Sequence, residues 1–91
     1  MQVKWTSKAL ADLVRLHEFL SLVNKPAAAR TVQALSDAPN SLLSNPRIGE
    51  ALEEFTPREV RRILVGKYEM RYEIHDFTLY VLRLWHTRED R

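Results

Sequence analysis

The residue types that can do chemistry gather at the end of this chain, where Arg83, His86, Arg88 and Arg91 alternate with Glu89 and Asp90. An imidazole can take or give a proton near neutral pH. Guanidinium groups hold phosphate or carboxylate oxygens through paired N–H bonds. Such a cluster could move a proton on an anionic substrate, or present a basic surface to a macromolecular partner. There is no cysteine, which removes disulfides, thiolate nucleophiles and Cys-ligated metal together. No ligand cluster or glycine-rich phosphate loop is present, so neither a metal nor a nucleotide cofactor is expected.

The elements that must position this cluster can be read from periodicity. In Tyr68-Glu-Met-Arg-Tyr-Glu-Ile the apolar Tyr68, Met70, Tyr72 and Ile74 share one parity, and Glu69, Arg71, Glu73 and His75 the other. That period of two marks a strand with one face on a core and one in water. Leu79 to Trp85 is apolar on both parities except at Arg83, as in a central strand, and runs straight into the charged tail. Glu59 to Val65 predicts a strand before these, joined through a two-residue turn at Gly66-Lys67; a second turn falls near Asp76. Residues 50–58 have no period and read as an irregular connection.

Upstream, Gln2 to Trp5 alternates briefly, and Thr6 or Ser7 can cap a helix reaching about Val23. Ala9, Leu13, Leu16, Leu20 and Val23 form its inward stripe, flanked by Leu10, Val14 and His17. A second helix restarts near Pro26 and turns Ala28, Val32, Leu35, Leu42 and Leu43 inward. Pro39 should kink or split it, and Asn45-Pro46 ends it. The expected architecture is a single α+β domain over 1–91. An N-terminal helical hairpin packs on a mainly antiparallel sheet of three to four strands, in the order β-α-α-β-β-β.

An apolar content of 45% suits a small globular domain. No apolar stretch approaches the roughly 18 residues of a bilayer span, and Met-Gln-Val-Lys-Trp is unlike a signal peptide, so the cytoplasm is the default address. Net charge is +2, with six basic and six acidic residues in 1–57 against eight and six in 58–91. This mild excess permits contact with nucleic acid or an acidic partner without demanding it.

The layout resembles the RelE/ParE superfamily of bacterial type II toxins across essentially the whole chain. The matching residues are Trp5, Ala9-x-x-Asp12-Leu13, Pro26-x-Ala28-Ala29, and Leu43 with Asn45-Pro46 and Gly49. Arg61-Arg62, Tyr68-x-x-x-Tyr72 and Leu82-Arg83-x-x-His86-x-Arg88-x-Asp90 complete the set. Resemblance implies a growth-inhibiting toxin in a hetero-oligomeric complex with an antitoxin encoded beside it. Two mechanisms remain open: a RelE-like branch that cleaves messenger RNA on the ribosome without metal, and a ParE-like branch that poisons DNA gyrase.

RNA cleavage by its own 2′-hydroxyl needs a base, an acid and cations for the charged phosphorane. By resemblance to the nucleases, His86, Glu50 and Arg71 are the candidates. However, Glu69 stands where those enzymes carry a phosphate-binding Arg, and no tyrosine follows His86. The ending His86-x-Arg88-x-Asp90 is similar to the ParE-like tail, with Arg83, His86, Arg88 and Arg91 as the target-binding surface. Antitoxin contact is expected on the helix faces around Leu10, Val14 and Phe19. A fold retained without activity is a further reading.

Each residue also has a structural use. His86 can hydrogen-bond at a strand end, and Glu69, Arg71 and Glu73 can form a charge ladder on a wet face. Arg61 and Arg62 can guard an edge strand. Tyr68, Tyr72, Tyr80 and Trp85 can be core or interface.

Overall fold

The computed structural model describes residues 1–89. Asp90 and Arg91, including the Arg91 named for the target surface, lie outside the described residues. Thr6 caps helix α1 (Ser7–Ser21), its Oγ1 accepting the Ala9 N–H at 3.1 Å. Asn24 repeats the device for α2 (Lys25–Leu42), accepting the Ala27 N–H at 3.0 Å, with Pro26 in the first turn.

Pro39 does not split α2, which is continuous to Leu42. Pro39 lacks the N–H that would bond the Leu35 carbonyl, so one helical hydrogen bond is lost, but only Asn40, Ser41 and Leu42 follow it in the helix, and the ring is buried. Val23 does not join the inward stripe. The helix ends before it, and the side chain is 82% exposed.

The sheet has the order β1-β5-β4-β3-β2, formed by Gln2–Trp5 (β1), Glu50–Ala51 (β2), Glu59–Val65 (β3), Tyr68–His75 (β4) and Thr78–His86 (β5). Only the β1–β5 pair is parallel. The α+β architecture is the one expected, with a fifth strand added. Glu50 and Ala51 pair with Arg62 and Arg61, a bridge too short to leave a periodic signal. A 3-10 turn, Glu53–Phe55, follows it. Gly66 opens the first hairpin turn at φ 61°, and Asp76 and Phe77 make the second at φ 48° and 58°.

One face of the sheet packs on the two helices. Ala9 and Leu16 of α1 and Leu35 and Leu42 of α2 meet Met70, Tyr72, Ile74, Leu79, Val81 and Leu84. Arg71 pairs with Arg83 while the next residue, Tyr72, pairs with Val81, so Leu82 is an extra residue in β5. This bulge swaps the parity of the strand. Leu79 and Val81 face the helices before it, whereas Leu84 and His86 do so after it.

The same region explains how the outer edge of β5 is closed. β1 pairs only as far as Val81. Beyond it the backbone of Leu84 is met by α1 side chains: Asp12 Oδ2 accepts its N–H at 2.9 Å, and Arg15 Nη2 donates to its carbonyl at 3.4 Å. Thr6 bridges the two regimes, its Oγ1 donating to the Leu82 carbonyl at 3.0 Å.

Candidate functional site

His86, carried to the helix side by the bulge, stands edge-on to Tyr68 with ring centroids 5.2 Å apart. Its Nδ1 accepts the Arg88 N–H at 3.1 Å, which in the neutral ring leaves the proton on Nε2. The tail is folded back here. Thr87 N–H donates to the Lys67 carbonyl at 3.0 Å, and Glu89 N–H to the His86 carbonyl at 2.9 Å. The Glu89 carboxylate reaches Arg15 Nη1 at 2.6 Å. Between α1 and this tail lies a cavity of about 610 Å³ lined by Arg15, Leu16, Phe19, Leu20, Tyr68, His86, Arg88 and Glu89. Burial, and next the Glu89 charge, raise the Tyr68 phenol above its ordinary value.

The opposite face of the sheet is organised around arginine. Arg62, Arg71 and Arg83 are direct neighbours across β3, β4 and β5. Like charges in such register repel, and each is matched by a carboxylate. Arg62 pairs with Glu50 and, at 3.0 Å, with Glu69. Arg71 lies 3.6 Å from Glu69, and Arg83 Nε and Nη2 donate to Asp12 at 2.8 and 3.2 Å. The Arg71 guanidinium is also held between two rings, 4.8 Å from the centroid of Trp85 and 5.3 Å from that of Phe55. Phe55 reaches this place from the 3-10 turn. The wet-face reading fails for Glu69, which is 1% exposed because Trp85 is its cross-strand neighbour and Arg62 reaches over to it. Glu73 keeps a surface partner in Arg58 at 2.7 Å.

The family model for the ParE toxin of type II toxin–antitoxin systems, parDE, matches residues 3–91. The chain belongs to the ParE toxin family. A curated relative, Toxin RelE2 of Caulobacter vibrioides, is 34% identical over 85 residues, covering 93% of each chain. A chain of the chromosomal ParDE toxin–antitoxin system from P. aeruginosa shares the fold at a TM-score of 0.76, with 22% identity over 94% of this chain and 95% of that one. The toxin of a type II system within the RelE/ParE superfamily, expected from the motifs, is thus what the chain is.

In this ParE-family toxin the three nuclease candidates do not meet. Arg71 is on the open face of a central strand, and His86 is on the helix face at the end of β5. Glu50 sits on the far edge strand, about 14 Å from β5 at three spacings of roughly 4.8 Å. Of the target-surface residues, His86 and Arg88 stand together at the cavity, whereas Arg83 is turned to Asp12.

The antitoxin candidates divide as well. Leu10 and Val14 are one turn apart and 49% and 56% exposed. Phe19, 65% exposed, follows Val14 by five residues, which places it about 140° round the helix and on the cavity. Arg15 and Phe55 carry no signal in the sequence, and Asp12 stands out there only as part of the Ala9-x-x-Asp12-Leu13 motif. A physical signal for Asp12 existed as well: a carboxylate amid the apolar stripe of Ala9, Leu13 and Leu16 must have a partner. Among the described residues no helix is long and apolar enough to cross a membrane, and no cluster could hold a metal ion.

Proposed function

We propose that this ParE-family toxin arrests growth by binding and poisoning DNA gyrase in the cytoplasm, and that a protein antitoxin neutralises it in a hetero-oligomeric complex. The observation that carries this reading is the separation of Arg71, His86 and Glu50 onto different faces and edges of the sheet. Proton transfer requires acid and base within hydrogen-bond reach of one substrate, about 2.6–3.2 Å. Arg71, the cation nearest the sheet centre, is already held by Trp85, Phe55 and Glu69. A binding toxin needs only a presented surface, and the tail around His86 and Arg88 offers one.

The test is supercoiling by purified gyrase with the free toxin added. Inhibition with trapped cleaved DNA supports gyrase poisoning; no effect from folded protein removes gyrase as the target. The second reading, a RelE-like ribosome-dependent nuclease, takes its support from the relative named Toxin RelE2. It predicts cleavage of messenger RNA on added ribosomes. A third, an inactive module with the toxin fold, predicts normal growth when the chain is expressed without its antitoxin.

A further inference from the structure

A second cleft, of about 390 Å³, lies between α2 and the β3–β4 turn. Leu35, Val65 and Tyr68 give it an apolar floor, and the exposed Arg30 and Lys67 stand at its lip. Gly66, at φ 61°, makes the tight turn that presents Lys67 here. The Thr87 N–H bond to the Lys67 carbonyl sets Arg88, also exposed, just beyond. Arginines elsewhere are matched by carboxylates: Arg15, Arg61, Arg62, Arg71 and Arg83 each have a carboxylate oxygen within 3.6 Å. Among the described residues Arg30, Lys67 and Arg88 have none. The one acid of α2, Asp37, is held by Gln33 Nε2 at 3.0 Å, and Glu89 by Arg15 at 2.6 Å.

We infer that Arg30 and Lys67, continued by Arg88, form a track for the phosphate backbone of duplex DNA, through which the toxin touches the DNA that gyrase holds. The inference rests on the gyrase reading above and adds the DNA itself as a contact. A row of like charges without counter-charges is unfavourable in the free protein. A polyanion relieves it at every position at once and releases its own condensed cations. A single carboxylate from a protein partner would answer only one of the three. Guanidinium and ammonium groups both suit phosphate oxygens, and the apolar floor gives the stems of Arg30 and Lys67 a surface to lie on.

The test is fluorescence anisotropy of a labelled DNA duplex with purified toxin, begun at about 50 mM salt and repeated at rising salt. The variants, checked for folding by circular dichroism, are Arg30→Gln, Lys67→Gln and the two combined. Lys8→Gln serves as control, because it removes the same charge from the first turn of α1. Each cleft variant is expected to weaken binding about three- to tenfold and to reduce the salt slope by about one. Lys8→Gln should change affinity by less than about twofold. In the supercoiling assay the combined variant should need at least about fivefold more toxin than wild type. Equal weakening by Lys8→Gln and the cleft variants would reveal a general charge effect and overturns the inference. So does wild-type toxin that binds no duplex, or that binds single-stranded RNA of the same length more tightly. If wild-type toxin leaves supercoiling unchanged, the gyrase reading fails and takes the inference with it. If wild type and the combined variant inhibit equally, the gyrase reading stands and the inference falls.

Discussion

The carboxylate of Asp12 accepts the backbone N–H of Leu84 at 2.9 Å, the bond a neighbouring strand's carbonyl would otherwise make. A helix side chain thus continues the edge of the sheet where β1 stops. The same carboxylate accepts two bonds from Arg83, so the fastening depends on its charge as well as its position. Asp12→Ala should leave Leu84 N–H buried and unpaired and release Arg83. The expected loss is about 2–3 kcal/mol, less than for a fully buried pair because Arg83 is half exposed. Urea denaturation would measure it; an unchanged midpoint would show that the edge needs no such fastener.

Acid should unfold this protein through a few carboxylates. Burial pushes the Asp12 carboxyl up from its ordinary 3.8, but the bonds from Arg83 and Leu84 and the charges of Arg83 and Arg15 bring it below that value. The Arg47 hydrogen bond chiefly lowers Glu59, and the Arg58 bond Glu73, from 4.5. A depressed folded-state pKa gives stability that is present above the unfolded value and lost as pH falls through the folded one. The melting temperature should therefore be level near neutrality and drop steeply below about pH 4. Asp12→Asn should flatten that drop, which thermal melts across pH 2–7 would reveal.

Gly49 is needed for its lack of a side chain. A Cβ there would stand 2.5 Å from Tyr72 Oη and 2.7 Å from the Arg62 carbonyl. Tyr72 Oη accepts the Gly49 N–H at 3.1 Å and donates to the Pro46 carbonyl at 2.6 Å, so it has no room to retreat without breaking both. Gly49→Ala should cost about 1–3 kcal/mol in chemical denaturation.

Phe77 runs the other way. It holds φ 58° with its ring 77% exposed, a left-handed conformation with little burial to offset it. Phe77→Gly should stabilise the fold by up to about 1 kcal/mol, provided the released strain exceeds the added chain entropy. A lower denaturation midpoint would show instead that the ring makes a contact that matters.

Arg88 is exposed beside the cavity and donates its backbone, not its side chain, to His86. Arg88→Glu should leave stability within about 0.5 kcal/mol, as surface substitutions usually do. On the proposed gyrase-poisoning reading, the concentration needed to inhibit supercoiling should rise at least about tenfold, since the charge reverses on the proposed target surface. Full potency in the supercoiling assay would place the gyrase contact elsewhere.

The strands of the hairpins, both helices and the α1 cap, narrowed to Thr6 or Ser7, were legible in the residues alone, because each rests on local rules: period, turn chemistry and an N-cap oxygen. Tyr68, Met70, Tyr72 and Ile74 revealed the core face of β4 at once, and the spacing of short motifs pointed to the right superfamily. What the sequence could not show is where side chains from distant elements meet. Leu82 carries no mark of a bulge, yet that one extra residue turns His86 to the helix side and away from Arg71. Glu69 reads as a solvated ladder residue until Trp85 is set against it. The five-residue step from Val14 already turns Phe19 to another side of α1, but only the docked helix shows that this side opens on the cavity. Periodicity reports which face a residue occupies within its own element; strand pairing and helix docking decide what lies opposite, and that decided the site.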